Sequence, residues 1–241
     1  MAADTPRGAK HEAAPWRNFY GRIKGKTLKP AQERDLAGVL PKVRLAGVDW
    51  DENPQRTPLS LEFTQGRPLW LEVGFGGGEH LAAQAAANPD VVFIGCEPFV
   101  NGVAMLLGKI RREGLTNIWV HPGDARDLFD VLPAGSVSKA FLLYPDPWPK
   151  ARHHRRRFVT PEHLGPLHSC LTAGAEFRVA TDIPDYVRQT LEEVPPAGFT
   201  WQAERAADWR EPWGDWHRTR YEAKAIREGR VPHYLTFARV H

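Results

Sequence analysis

The sequence predicts an α/β fold, a seven-stranded and mostly parallel sheet with helices on both faces. Three observations predict it. From Leu69 onward, short apolar runs alternate with amphipathic stretches of helical length; a glycine-rich turn joins the first run to the first helix; and acidic residues recur at the ends of the runs. Such alternation implies right-handed strand–helix–strand crossovers, and sheets of this kind bind ligands at the carboxyl ends of their strands.

The elements follow in order. The first sixty residues are rich in Pro, Gly and charge and show a helical pattern only around residues 30 to 40, so residues 1–60 read as a basic N-terminal extension with the composition of a flexible segment, and residues 61–241 as one domain. LWLEV (69–73) is the first strand, and the Ala-rich HLAAQAAA that follows the glycines is a helix stopped at Asn88 and Pro89. VVFIGCE is a second strand, about Val100 to Glu113 a helix, NIWVHPGD a third strand and ARDLFDVL a short helix. KAFLLY ends at a proline-rich segment. Residues 160 to 171 read as a helix, EFRVATD as a strand, PDYVRQTLEEV as a helix, and FTWQAERA and HYLTFARV as the last two strands. Trp209, Trp213 and Trp216 read as a cover for an edge of the sheet, with stacking on RNA as the other reading.

The composition narrows the function classes. A chain of 241 residues with 42% hydrophobic content can form one full core, and no apolar run approaches the roughly 18 residues of a membrane span. Cys96 and Cys170 form neither a CxxC pair nor a disulfide framework, and the N-terminus lacks an apolar signal core, so a reducing, cytoplasmic setting is expected. The ten histidines show no metal-ligand spacing, and no metal is expected. The net charge of +3 is mild, but Lys150, Arg152, Arg155, Arg156 and Arg157 fall within eight residues, with His153 and His154 among them.

The candidate cofactor site is LEVGFGGGEH, in which Gly74, Gly76 and Gly78 follow a strand and precede a helix. Glycines there let the backbone turn sharply and approach a ligand. Glu97 ends the second strand, where a carboxylate can accept both hydrogen bonds of a ribose diol, a feature shared by NAD and S-adenosylmethionine sites. The GxGxG spacing, with Glu72 just before it, departs from the dinucleotide GxGxxG whose helix N-terminus holds a pyrophosphate; S-adenosylmethionine has no pyrophosphate and carries positive charge that a carboxylate favours. Asp124 follows the third strand, where it can bond an adenine amino group, cap the next helix, or both. On the acceptor side, Tyr144-Pro-Asp-Pro-Trp-Pro-Lys150 is rigid, so Asp146 and the Trp148 ring can be held beside a cofactor, and the polybasic run that follows suits phosphate contacts.

Together with ATDIPDY (180–186) and TRYEAKAIREGRVPHYLTFAR (219–239), these segments closely resemble the bacterial tRNA (guanine-N7-)-methyltransferase family over roughly residues 69 to 239. The YPDPWPK block with its polybasic run and the TRYE motif are specific, the glycine loop is generic, and FYGRIKGKTL (19–28) is similar to the family's basic leader. The resemblance implies a Rossmann-like class I methyltransferase fold, S-adenosyl-L-methionine as cofactor and tRNA as partner, with methylation of a guanine N7 in the variable loop. It implies cofactor contacts from Glu72, Gly74, Gly76, Gly78, Glu97, Asp124 and Asp146, with Asp146 also catalytic. Substrate contacts would come from Lys150, Asp182, Thr219, Arg220, Tyr221 and Glu222, and further RNA contacts from Arg152, His153, His154, Arg155, Arg156 and Arg157. Asp182 equally reads as a helix N-cap. Pro98 and Pro149 depart from the usual pattern without removing a side chain that has an assigned role. No membrane and no obligate protein partner are expected, the chain being a monomer or homodimer. The competing classes are a non-enzymatic RNA-binding protein on the same fold, against which the full set of acidic and glycine positions argues, and a NAD-dependent oxidoreductase, which leaves the PDPW and polybasic blocks without a role.

Overall fold

The structure is a computed structural model that describes residues 14–240. In chain order its elements are α1 (Pro30–Gly38), α2 (Leu40–Val43), β1 (Leu69–Val73), α3 (Glu79–Ala87), β2 (Val92–Cys96), α4 (Val100–Glu113), β3 (Ile118–His121), α5 (Ala125–Phe129), β4 (Val137–Leu143), α6 (Pro161–Cys170), β5 (Leu171–Thr181), α7 (Pro184–Glu193), β6 (Phe199–Trp201), α8 (Ala207–Arg210), α9 (Arg220–Arg227) and β7 (His233–Arg239). The seven strands lie in the order β3-β2-β1-β4-β5-β7-β6. The first five pair in parallel, and β7 runs antiparallel to both of its neighbours. The chain order reverses between β1 and β4, which opens a crevice at the carboxyl ends of these central strands.

The alternation of strand side chains divides the core. Leu69, Leu71, Val92, Ile94 and Cys96 point to one side, with Leu128, Leu142, Leu164 and Phe177, whereas Phe93 points to the other, with Leu81, Val103, Leu106, Leu107 and Ile110. Residues 103, 106, 107 and 110 form one stripe along α4, and Gly114 ends that helix in the left-handed conformation, φ +65°.

The segment before residue 61 carries structure of its own. Arg111 on α4 holds Asp35 of α1 (Nε–Oδ1 2.7 Å), Arg44 bridges to Val120 on the edge strand, and Leu45 and Val48 are buried in the main core. The first thirteen residues of the expected extension lie outside the described residues. At the other end, β6 stops at Trp201 rather than continuing to Ala206. The Asp208 carboxylate accepts from the backbone N–H groups of Glu204 and Arg205 and turns the chain into α8. Trp213 and Trp216 lie with Tyr234 and Phe141 on a face of the sheet, not along its edge; Trp209 stands apart, stacked on His233 at 5.5 Å.

Candidate active site

The carboxyl ends of β1, β2 and β4 open into a cleft of about 620 Å³ lined by Gly74, Gly76, Glu97, Asp124, Tyr144, Asp146, Trp148 and Tyr221, with residues 16–22 forming one wall. The strap of residues 16–26 is fixed at both ends. Arg17 pairs with Asp127 and Asp130 at 2.8 Å, and Arg126 donates to the Asn18 carbonyl. Asn101 accepts from Gly25 N–H and donates to the Lys26 carbonyl, both at 2.7 Å.

Glu97 is the best-defined acidic group of the cleft. Its Oε2 accepts from Gly76 N–H at 2.7 Å and its Oε1 from Phe99 N–H at 2.9 Å, so the carboxylate holds the glycine loop against the start of α4. Burial pushes its pKa up to about 7 despite these bonds. Gly76 has a left-handed φ of +54°, and a Cβ at Gly102 would collide with the Gly76 carbonyl oxygen, so loop and helix approach more closely than any larger side chain allows.

Asp124 combines both expected positions. It caps α5 by accepting from Arg126 N–H at 2.9 Å, and it lines the cleft while the Arg126 guanidinium grips it at 2.6 Å. Burial alone would raise its carboxyl, but the Arg126 bonds overcome this and hold it below the usual range. Asp146 faces the open side of the cleft. Desolvation by the surrounding walls raises its pKa, and the Arg22 charge opposes the rise. The loop that presents it is bent at both ends, with left-handed φ at Tyr144 (+50°) and Trp148 (+40°). Beyond it, the Arg156 guanidinium lies 4.7 Å from the Tyr20 ring and 5.0 Å from the Trp148 ring.

Several predicted contacts sit elsewhere. Glu72 is 2% exposed and does not line the cleft, its Oε2 2.7 Å from Nδ1 of His80. Glu222 is equally buried and accepts from Trp216 Nε1 at 2.9 Å and from the Tyr234 hydroxyl. Thr219 is the N-cap of α9, accepting from Glu222 N–H, and Arg220 pairs with Glu79 at the start of α3. Of the TRYE segment, Tyr221 alone lines the cleft. Asp182 pairs with Arg230 and does not cap α7, whose N-cap is Ile183.

The polybasic run forms a short 3-10 helix over Ala151–Arg156 that divides its charges. Lys150, Arg152 and Arg155 are exposed, whereas His153 is half-buried and His154 places Nε2 3.2 Å from Asp185. Arg157 is a correction to the expected RNA contacts. Its residue exposure is 1%, and it donates to the Pro147 carbonyl, Gln189 Oε1 and Asp185 Oδ2, each at 2.8 Å, above the buried Tyr186 ring. The guanidinium braces the acceptor loop from inside. Tyr20, Gly102 and Tyr234 carry no sequence signal of a role, since theirs arise from separate segments meeting, and His80 shows its role only through the Glu72 contact. The T-x-x-E signal at Thr219 and Glu222 was a legible helix start. Among the described residues, no cluster of His, Cys, Asp and Glu has the arrangement of a metal site.

The donor set and volume of the cleft fit an adenosyl ligand. A strand-end carboxylate stands beside a glycine loop over which the Tyr221 ring lies, and a second carboxylate lies at the end of the next strand. A family model described as "Putative methyltransferase" matches residues 66–235. A relative from Ruegeria sp. (strain TM1040), named tRNA (guanine-N(7)-)-methyltransferase, is 70% identical over 242 residues, covering 99% of this chain and 95% of its own. One of the same name from Jannaschia sp. (strain CCS1) is 72% identical over 228 residues, covering 94% and 96%. Among solved structures, the 16S rRNA methyltransferase KamB superposes with a TM-score of 0.56 at 18% identity, covering 75% of this chain and 92% of that one, a likeness of fold.

Proposed function

The chain belongs to the tRNA (guanine-N7-)-methyltransferase family of S-adenosylmethionine-dependent enzymes, and from that premise we propose that it methylates N7 of a variable-loop guanine in tRNA, in the cleft between Glu97 and Asp146. The observation that carries the assignment of the site is the convergence of Glu97, Asp124 and Asp146 on one cleft at the reversal of strand order. The variable-loop position rests on the family resemblance.

The cofactor, when bound, supplies an electrophilic methyl whose bond to sulfur breaks with its electron pair left on sulfur. Guanine N7 offers an in-plane lone pair at neutral pH, so no proton has to be removed and catalysis is a matter of alignment and charge. Glu97 stands where a ribose diol can donate to its free lone pairs, and Asp124 where it can accept from an adenine amino group. Asp146 places negative charge near a base that becomes cationic as the new bond forms. Trp148, beside Asp146, offers a ring against which the base can stack. Lys150, Arg152 and Arg155 are exposed for the tRNA backbone. Both cysteines are buried free thiols, which suits a cytoplasmic enzyme.

The direct experiment incubates the protein with unmodified tRNA and S-adenosylmethionine and measures 7-methylguanosine by mass spectrometry of the digested RNA. Product is expected from the wild type, at a variable-loop guanine when the RNA is mapped, and should be lost in Asp146→Ala at saturating cofactor, with cofactor affinity measured in parallel. Near-normal turnover in Asp146→Ala would remove that residue from its assigned role, and absence of product from the wild type would remove the reaction.

A further inference from the structure

Arg126 ties three separate segments of the cleft to one another. It is the second residue of α5, two positions after Asp124, and is 7% exposed. Its Nη2 donates to Asp124 Oδ2 at 2.6 Å and to the Asn18 carbonyl of the strap at 2.9 Å. Nε donates to Asp124 Oδ1 at 3.1 Å, and Nη1 to Glu162 Oε1, near the start of α6, at 2.6 Å. Asp124, Asn18 and Glu162 all line the cleft.

The three partners depend on this guanidinium to different degrees. The Glu162 side chain is 62% exposed, so water replaces Arg126 there at small cost. The strap has a second anchor at the same place, since Arg17 pairs with Asp127 and Asp130. Asp124 has no such substitute. Its side chain is 19% exposed, and burial alone would raise its carboxyl above the usual range; the bonds from Arg126 reverse that. The backbone of the turn is held by other groups, for the Cys96 thiol donates to the Gly123 carbonyl at 3.3 Å and His121 Nε2 lies 3.2 Å from the Asp124 carbonyl oxygen. What Arg126 governs is therefore the direction and charge of the Asp124 carboxylate, not the path of the chain.

We propose that Arg126 is a positioning residue of the cofactor site: it grips both oxygens of Asp124 from the side of α5, leaves their remaining lone pairs to the cleft, and so makes the site select adenine. The inference rests on the reading of the cleft given under Proposed function, in which Asp124 accepts from the adenine amino group. An ionised carboxylate accepts hydrogen bonds and donates none. Adenine offers it an amino donor, whereas hypoxanthine presents a carbonyl oxygen at the same place, and two acceptors facing each other in a partly desolvated site repel. A protonated Asp124 has a hydrogen to give to that carbonyl. Holding the group charged and fixed in direction is thus what separates the two bases, and Arg126 does this without touching the cofactor.

The test is titration calorimetry of the full chain with S-adenosylhomocysteine and with S-inosylhomocysteine, in which a carbonyl replaces the adenine amino group, each variant also being melted. Wild type should bind the adenine form at least about tenfold more tightly, the scale set by leaving a buried acceptor unpaired. In Arg126→Gln that ratio should fall by about fivefold or more, chiefly through weaker binding of the adenine form, and Arg126→Lys, which keeps the charge but not the planar fork, should lie between the two. In an Asp124→Asn background, adding Arg126→Gln should change the ratio little, because the two residues act as one unit. An unchanged ratio in Arg126→Gln, even with a lower melting temperature, would make Arg126 a brace of the fold alone and overturn the proposal, as would an undiminished effect in the Asp124→Asn background. If Arg126→Gln does not fold, Arg126→Lys decides, a wild-type ratio there being the refuting result. Wild type that binds both forms equally would refute the adenine contact of Asp124 itself, whereas a selective wild type with an equally selective Arg126→Gln refutes only the role of Arg126.

Discussion

Arg157→Ala separates a buried brace from an RNA contact. The guanidinium has no exposed side-chain surface and gives three hydrogen bonds of 2.8 Å, to Pro147 O, Gln189 Oε1 and Asp185 Oδ2. Asp185 is 42% exposed and can regain water, so most of the loss comes from the other two acceptors and from the cavity beside Tyr186. An unsatisfied buried acceptor costs about 1–3 kcal/mol, and the two together with the lost packing come to roughly 4 kcal/mol. For a chain of this size that is a fall in melting temperature on the order of 10 °C. Chemical denaturation and thermal melting read the change directly. The exposed Arg152→Ala serves as the control, with stability expected within about 0.5 kcal/mol of wild type and a shallower salt dependence of tRNA binding. If Arg157→Ala is as stable as wild type and instead weakens tRNA binding with a reduced salt slope, the brace is refuted.

Other outcomes follow from the same geometry. Glu97, raised to about 7 by burial, should charge only as the pH climbs through the neutral range; because its folded pKa lies above the usual carboxylate value, the folded state without cofactor loses stability as pH rises from about 4.5 to about 7. Since a ribose diol favours the charged form, cofactor affinity should fall below pH 7, and titration calorimetry across pH should find that break missing in Glu97→Gln. Gly102→Ala should drive α4 away from the Gly76 carbonyl and weaken cofactor binding by at least about tenfold with a smaller effect on folding, measurable by the same calorimetry and a melt. Asp146 is raised above its ordinary carboxyl range by desolvation, so kcat should decline as pH drops through the acid limb, and a pH–rate profile of Asp146→Asn should lack that limb.

The central sheet was legible because its strands are continuous apolar runs, as strands covered on both faces must be, and because glycines and strand-end acids mark the turns between them. That same covering hid which way each side chain points. In β1 both faces are apolar, so nothing in LWLEV indicated that Glu72 turns to His80. In the polybasic run, five cations in eight residues read as one charged surface. The 3-10 turn sends Arg157 inward because Asp185 and Gln189, some thirty residues later, arrive beneath it. The TRYE segment carries two signals at once: Thr219 and Glu222 satisfy the start of a helix, the segment folds as one, and Tyr221 on that helix lines the cleft. The N-terminal strap was the least legible part, for Arg17 and Asn18 are held by α5, more than a hundred residues away.

The distribution of charge answers a conflict built into the proposed reaction. A tRNA is a polyanion and calls for cations, whereas a sulfonium donor and a guanine that becomes cationic call for anions, and both meet within one cleft. The chain separates the two by burial. Glu97 and Asp124 lie at the strand ends, where low polarisability strengthens their effect, and the exposed cations Lys150, Arg152 and Arg155 stand in high-dielectric surroundings at the rim, where salt screens them. Where the two layers come closest, the cations are already engaged. Arg126 is committed to Asp124, Arg17 to Asp127 and Asp130, and Arg156 to the faces of Tyr20 and Trp148. Among the described residues Arg22 is the charge that opposes the rise of Asp146, and under the proposed reaction this carboxyl can respond to a charge that appears on the base.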